Sequence, residues 1–374
     1  MERLQTILHL GAKELASLAR DTALIGLIVY AFTYAIFGPA KGASMELRNA
    51  SVAIVDEDRS VLSARIADAL LPPYFIRPQY ITADQVDTSM DAGRFTFVID
   101  FPPRFQADVQ AGHHPSLQLE IDATAMTQAG RGAGYIQTGA LREIDSFLDV
   151  PAVPQPVRLV TRARFNPNLL DTWFVGMAQL INNLTMLAIF LAGAAVVRER
   201  EHGTLEHLLV MPLRSSEIML AKVWSNTLVI VSASVVSLWL VVRGVLGVPI
   251  AGSVTLFAAG ATVYLFATTS LGILLATMTR SMPQFGLLAF LVFLVLNMLS
   301  GGTTPLDSMP TWLQNVLFLS PTTHFVNFGL AILYRGAGIE AVWPEFLIVA
   351  GIGVVCFAVA LMRFRRMIVL AGRV

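Results

Sequence analysis

The densest group of ionisable side chains is the run from Arg198 to His202, which reads RERE followed by histidine. Gly203 ends the run, and an apolar-faced helical turn follows before Pro212. A short amphipathic helix between charges and two long apolar segments is a suitable docking surface for a protein partner, and the alternative is a solvated connector. The candidate docking residues are Glu199, Arg200, Glu201, Gly203, Thr204, Leu205, Glu206, Leu208, Leu209, Met211 and Pro212.

Two other groups have side chains of the types that bind metals. His113 and His114 form a histidine pair, but a metal site needs further ligands, so we expect a surface turn. Asp56, Glu57 and Asp58 lack the spacing of a calcium-binding EF-hand loop and also predict a turn.

The sequence contains no phosphate-binding GxxxxGK[ST] loop, no nucleophile elbow and no metalloprotease helix motif. We therefore expect a chain that is not an enzyme and that itself binds no cofactor. Any ATP-driven work requires a separate subunit that holds ATP and magnesium.

The composition indicates a membrane protein, with 55% hydrophobic residues and only 14% charged residues among 374. The formal net charge is zero, so no nucleic-acid partner is predicted. Cys356 is the single cysteine, which rules out a disulfide within the chain.

Hydropathy predicts six membrane spans after an amphipathic helix over residues 1–20, which we expect to lie on the inner membrane surface. Between the fifth and sixth spans, prolines divide residues 300–344 into apolar pieces too short to cross, typical of re-entrant or interfacial helices on the outer side. The predicted spans are residues 21–38, 173–197, 221–242, 254–278, 285–299 and 346–362, with residues 198–220 as the cytoplasmic loop and 363–374 as the tail.

Residues 45–166 differ in kind, because they carry many charges and alternate strand-like and helix-like stretches. The stretch Phe95 to Phe101 is the clearest strand, and a last strand is expected from Val157 to Ala163. This alternation predicts a compact α/β domain inserted after the first span.

Positive charges set the orientation. Basic residues concentrate at residues 3–20, 198–222, 280 and 363–373, whereas the short connections on the other side hold only Arg243 and Arg335. Both termini are therefore predicted in the cytoplasm, with the α/β domain on the opposite side of the membrane.

Polar residues mark one face of the second predicted span, where Gln179, Asn182, Asn183 and Met186 fall at helical spacing. Asn297 lies in the fifth span. Polar groups in lipid prefer a protein partner or a wet cavity, so these residues either join helices or line a translocation path.

The pattern RERE-x-GTLE-x-LL-x-x-P in residues 198–212 resembles the cytoplasmic loop of ABC-2 type transporter permeases. Residues 320–336, SPTTHFVNFGLAILYRG, resemble that family's segment before its last membrane helix, and the hydropathy layout agrees over the whole length. The resemblance implies an α-helical polytopic membrane protein of six transmembrane helices, like the ABC-2 (type V) exporters, with an extracytoplasmic α/β domain.

The same resemblance implies a function and its partners. The loop would carry the coupling helix that contacts an ABC ATPase, and residues 1–20 would be a connecting helix near it. A second permease copy or paralogue would complete the pathway, and a periplasmic membrane-fusion adaptor would be a further partner beside membrane lipid. The expected activity is export of a hydrophobic or amphiphilic compound, drug-like or lipid.

Two other functions are compatible with the composition. One is a secondary multidrug carrier, against which the scarcity of charge in the spans counts. The other is a membrane anchor that presents the α/β domain to envelope proteins.

The orientation predicts the result of reporter fusions. A reporter fused after Arg214 or at the C-terminus should report cytoplasm, and one at Gly112 should report periplasm, because basic residues stay on the inner side. An external signal at Arg214 would overturn the six-span topology and the docking loop with it.

Overall fold

The computed structural model describes residues 2–42, 49–122, 126–149, 165–166, 170–203, 213–301, 306 and 309–371. The protein divides into two compact units. The helical unit comprises Met1–Ala43 and Arg164–Val374, and the α/β unit comprises Ser44–Ala163.

The helical unit begins with amphipathic helix α1 (Glu2–Arg20), followed by α2 (Thr22–Phe32) and α3 (Tyr34–Gly42), which form one apolar span broken at Thr33. Asp21 caps α2, because its side chain accepts a hydrogen bond from the Leu24 amide. The later helices of this unit are α8 (Asp171–Glu201), α9 (Ser215–Ser237), a π-helix (Leu238–Val245), α10 (Val254–Met278), α11 (Met282–Met298), α12 (Thr311–Leu317), α13 (Pro321–Arg335) and α14 (Ile339–Ala371).

Among the described residues, five helical segments are long and apolar enough to cross a membrane. They are the α2–α3 segment, α8, α9 with its π-helix, α10 and α14. The pair α12–α13, bent by 85° at its break, makes a sixth if it is counted as one span. Helix α11, which corresponds to the predicted fifth span, is apolar but only 17 residues long.

Helices α8 and α10 lie at the centre of the helical unit and approach each other closely at Gly272. A Cβ atom added at Gly272 would lie 2.5 Å from the Ile189 carbonyl oxygen and 2.9 Å from the Ile189 Cα. Real Cβ atoms do not approach backbone so closely, so only glycine permits this contact.

A buried polar contact joins the same two helices to α13. The Tyr264 hydroxyl lies 2.6 Å from the Thr185 hydroxyl and 3.1 Å from the Thr322 hydroxyl, and the tyrosine is fully buried. Its ring stacks on Phe325 with centroids 4.0 Å apart. Because each hydroxyl has a partner, this polar group is retained in an apolar core.

The α/β unit contains a four-stranded sheet in the order β2-β1-β3-β4. Strand β1 (Val52–Asp56) pairs in parallel with β2 (Gln79–Tyr80) and β3 (Phe97–Phe101), and β4 (Gln118–Ile121) pairs antiparallel with β3. The helices of this unit are α4 (Val61–Asp68), α5 (Val86–Asp91), α6 (Phe105–Gln110) and α7 (Met126–Phe147), with a 3-10 turn at Ala83–Gln85.

Both faces of the sheet are covered, which explains why β1 is almost continuously apolar. Val52 and Ile54 join the core beneath α4, α6 and α7, whereas Ala53 and Val55 join the smaller core on the α5 side. The strand predicted from Val157 to Ala163 lies outside the described residues.

Several helix ends differ from the sequence prediction. The predicted loop 198–220 is shorter, because α8 continues through the charged run to Glu201 and α9 begins at Ser215. The last helix begins at Ile339 rather than at residue 346, with Pro344 inside it. Neighbouring helices tolerate a proline in an apolar helix, so Pro344 does not mark a break.

The contact at Gly272 generates a stability prediction. Gly272→Ala should destabilise the helical unit by about 1–3 kcal/mol, because the new methyl group meets backbone that cannot move aside. Thermal unfolding in detergent would measure the loss. Gly286→Ala is the matched control, since nothing lies within 4 Å of a Cβ there and alanine favours a helix by up to about 1 kcal/mol. Equal unfolding temperatures for the two variants would contradict the close approach.

Candidate functional site

The candidate site is the charged end of α8, where four consecutive charged residues contact five different parts of the helical unit. Successive helical residues are rotated by about 100°, so side chains from a single turn point in different directions. Arg198 contacts the start of α2, and Glu199 contacts α9. Arg200 contacts α10 and α14, and Glu201 contacts the first residue of α11.

The most buried charge at this end is the ammonium of Lys222 in α9, whose side chain is 1% exposed. Its Nζ donates to Glu199 Oε1 at 2.6 Å and to Glu14 Oε1 at 3.1 Å. An isolated buried ammonium is strongly unfavourable, so the two carboxylates make its burial possible. Because Glu14 lies on α1, this one cation joins α1, α8 and α9.

A second ion pair lies beside the first. Arg198 Nη1 donates to Asp21 Oδ2 at 2.8 Å, and the same carboxylate group caps α2. The hydrogen bond from Arg198, with the one from the Leu24 amide, holds the pKa of Asp21 below its ordinary value. We call the set Glu14, Asp21, Arg198, Glu199 and Lys222 the charged layer.

Helix α1 has a further attachment to α9 through Trp224. The indole Nε1 of Trp224 donates to the Ile7 carbonyl oxygen at 3.1 Å. The ring lies over Gly11, where an added Cβ atom would come within 2.2 Å of it. An amphipathic helix is thus fixed to the bundle by an ion pair, a hydrogen bond and a close packing contact.

The remaining charges of the run, Glu201 and Arg200, contact the ends of other helices. Glu201 Oε1 accepts a hydrogen bond from the Met282 amide at 2.8 Å, which satisfies a donor that no helix turn reaches. Arg200 Nη1 lies 3.5 Å from the Ala276 carbonyl oxygen, near the C-terminal end of α10, where the helix dipole favours a cation. Gly203 has a φ of +68° and follows the end of α8.

The rest of the candidate docking residues lie outside the described residues. They are Thr204, Leu205, Glu206, Leu208, Leu209, Met211 and Pro212. The chain is described again from Leu213, and α9 starts two residues later. The cap of α9 is made by Glu217, whose carboxylate accepts from the Arg214 amide at 2.9 Å. Along the chain, the charged layer has Arg198 and Glu199 before residue 204 and Lys222 after residue 212.

The structure separates the polar residues predicted on α8. Asn183 is buried, and its amide donates to the Ala31 carbonyl oxygen of α2 at 2.6 Å. Asn182 instead donates to Gln179 Oε1 at 3.1 Å on the half-buried side of the helix. Met186 packs against the core, and Asn297 lies half-buried in the last turn of α11. Asn183 thus joins helices, while Gln179 and Asn182 remain candidates for a path.

Residues distant in sequence complete the charged layer, and the sequence interpretation assigned them no contact. In the sequence, Lys222 is only one of the inner-side positive charges, and the pattern predicts neither the pairing of Glu14 with Lys222 nor that of Asp21 with Arg198. The available signal was an ionisable residue seven positions after Ser215 in an apolar helix, because such residues are paired when buried.

The described residues contain no group of three or more side chains suited to holding a metal ion. His113 is exposed and lies 3.3 Å from the Asp108 carboxylate, and Asp56 accepts hydrogen bonds from the Arg59 amide and the Ser63 hydroxyl.

Comparison with known proteins supports a transporter. A family model described as ABC-2 family transporter protein matches residues 22–362. The chain is 52% identical over 370 residues to the inner membrane transport permease YhhJ of Escherichia coli K12, with 98% of this chain and 99% of the relative covered. It is 27% identical to the probable multidrug ABC transporter permease YbhR of the same organism, covering 97% and 98%. ABC transporter G family member 20 of Dictyostelium discoideum is 26% identical over 77% of this chain and 35% of its own length. These matches confirm the resemblance seen in the charged run and in residues 320–336.

The burial of Lys222 generates the next prediction. Lys222→Met should lower stability by about 3–5 kcal/mol, because Glu14 and Glu199 then face each other without a cation. Adding Glu199→Gln to that variant should restore part of the loss, since one of the two charges is gone. Thermal unfolding in detergent would measure both, with Lys41→Met as an exposed control. An unchanged unfolding temperature for Lys222→Met would show that this ion network does not stabilise the fold.

Proposed function

Because the chain belongs to the ABC-2 transporter family, we propose that it is the non-catalytic permease subunit of an ATP-driven exporter. The expected cargo is a hydrophobic or amphiphilic compound, drug-like or lipid, moved out of the cytoplasm or the inner membrane. The observation that carries the proposal is the charged end of α8, which joins α1, α2, α9, α10, α11 and α14 beside the docking segment.

ABC-2 permeases work with ABC ATPase subunits in transporters, and this sequence has no phosphate-binding loop of its own. We propose that ATP and magnesium bind on the partner and that this chain binds no cofactor. The partner would dock on residues 199–212, with Leu205, Leu208 and Leu209 buried in a groove of the ATPase.

Movement of the docked segment would reach the spans through the charged layer. A displacement at Gly203 acts on the end of α8, and Lys222 connects that end to α9 and to α1. Because the hydrogen bonds of the charged layer join different helices, these helices would shift together as packed bodies and would not bend independently. Such a shift would switch access between the two faces of the membrane.

The proposed location is a bacterial inner membrane, with both termini in the cytoplasm and residues 45–166 in the periplasm. The support is the asymmetry of basic residues: the charged run of α8 and Arg363, Arg365 and Arg366 of α14 would lie inside. The contact of Arg200 with the Met367 sulfur at 3.7 Å is consistent with both helix ends lying at one face.

A complete pathway would need a second copy of this chain or a paralogue, and a periplasmic adaptor is a further proposed partner. Gln179, Asn182 and Met186 are the proposed lining of the path, with Asn297 on α11. The hydrogen bond between Asn182 and Gln179 leaves the remaining amide donors and acceptors of both side chains for cargo or water.

The docking proposal is tested at Leu208. Leu208→Asp should abolish ATPase association, because it removes a buried leucine worth about 1.5–3 kcal/mol and places a charge in the contact. Glu206→Ala should be milder, since exposed ion pairs contribute about 0–1 kcal/mol. Pull-down of the ATPase in detergent and substrate-stimulated hydrolysis are the measurements, with membrane insertion as the control. Wild-type association of Leu208→Asp would reduce the segment to a connector.

A further inference from the structure

A buried histidine, His324, connects three helices. It lies far along the chain from the residues of the charged layer. The side chain of His324, in the first turn of α13, is 3% exposed. Its Nε2 lies 2.7 Å from the Phe318 carbonyl oxygen at the end of α12, and its Nδ1 is hydrogen-bonded to Glu345 Oε2 on α14. The phenyl ring of Phe318 also meets the imidazole edge-on at 4.9 Å. One side chain therefore fixes the bend between α12 and α13 and ties it to α14.

The two hydrogen bonds determine how many protons the pair holds. A carbonyl oxygen only accepts, so Nε2 must carry a hydrogen and donate it to Phe318. Nδ1 and the Glu345 carboxylate then need one more proton between them, either on the ring or on the carboxyl group. The pair is neutral overall in both cases, which suits the buried side chain of His324, while the side chain of Glu345 is 31% exposed.

The pair lies near one boundary of the membrane-spanning part of α14. Arg363 is eighteen positions after Glu345, which is about 27 Å of helix and close to the thickness of a hydrocarbon core. Trp312 on α12 and Trp343 on α14 are both exposed near this end, as expected for aromatic residues at a membrane interface.

The helices that pack against α13 carry other titratable or charged residues besides Glu345. In the part of the chain that the structure describes, the ion pair of His324 is the one with Glu345, and α11 and α12 carry no titratable residue. The titratable or charged residues on the other elements against α13, and on α13 itself, are Asp171, Arg198, Glu199, Arg200 and Glu201 of α8, Tyr264 of α10, Tyr334 and Arg335 of α13, and Glu340, Cys356, Arg363, Arg365 and Arg366 of α14.

We propose that His324 and Glu345 form a single-proton site that latches the bent α12–α13 pair to α14. With its proton, the site makes both hydrogen bonds at once. Without it, a neutral imidazole has only one N–H, so either the Phe318 carbonyl or the Glu345 carboxylate loses its donor. Loss of the proton thus releases one of the two attachments, and this latch depends on neither the cargo nor the ATPase.

The Glu345→Gln variant distinguishes the hydrogen bond to His324 from the shared proton, because glutamine can make the bond but cannot share the proton. In Glu345→Gln the carboxamide donates to Nδ1 of a neutral His324, while Nε2 still donates to Phe318. Both attachments then persist without a shared proton, so this variant should be latched at every pH. Glu345→Ala removes the attachment to α14 altogether and should be released at every pH.

The test measures the distance between spin labels on α12 and α14. Labels at Trp312→Cys and Trp343→Cys, in a Cys356→Ala background of the full chain in lipid nanodiscs, report the latch over a series from about pH 6 to about pH 10. The wild-type pair should give a single distance at the acid end and a shift to longer distances at the alkaline end. Glu345→Gln should keep the shorter distance throughout.

Glu340→Gln removes an exposed carboxylate from the same helix and should follow the wild type. A wild-type distance that does not change with pH would overturn the proposal, and so would a Glu345→Gln variant that shifts as the wild type does. Because neither arm uses ATP or cargo, failure here is distinguishable from failure of the exporter assignment.

Discussion

The helical unit depends on the placement of one cation, the ammonium of Lys222, whose side chain is 1% exposed. A buried ammonium without a counter-ion would strongly destabilise the fold, so Glu14 and Glu199 must lie next to Lys222. Glu14 determines where α1 lies along its length, and Glu199 determines how the end of α8 is rotated. Once these are fixed, Arg198 meets the Asp21 cap, and Glu201 meets the first amide of α11. The indole of Trp224 then donates a hydrogen bond to the Ile7 carbonyl oxygen and packs against the backbone of Gly11.

This arrangement gives the proposed coupling a physical basis. In the proposed coupling, a force applied to residues 204–212 would act on the end of α8 and the start of α9, which the polar contacts of Glu199 and Lys222 join. The apolar middle of the bundle would transmit it through close packing, as at Gly272, where α10 approaches the backbone of α8. At the other end of α14, His324 and Glu345 provide a second polar attachment. Polar contacts thus occur at both ends of the unit, with the Tyr264 contact between them.

The sequence predicted elements that depend on local pattern. The amphipathic α1, the long apolar helices and strand β3 follow from periodicity and hydropathy, and the charged run carries the family resemblance. It did not predict partners far apart along the chain, such as Glu14 and Lys222, because charge counting gives a side of the membrane and no contact. Nor did helical spacing separate Asn183 from Asn182, since adjacent residues differ in direction by about 100° and only packing decides which one meets α2. Hydropathy also did not locate the start of α14, which begins at Ile339 and includes Pro344.

The central claim is that α1 and α9 respond together when the proposed ATPase partner acts on the end of α8. Hydrogen–deuterium exchange of the assembled transporter in nanodiscs, with and without bound ATP, tests it most directly. The account predicts that protection changes in the same direction in residues 2–20 and at the start of α9, and that Glu14→Gln, which leaves Glu199 as the counter-ion of Lys222, uncouples the two segments. If ATP changes exchange in residues 204–212 while residues 2–20 stay as they were, the charged layer carries no movement and the account is contradicted.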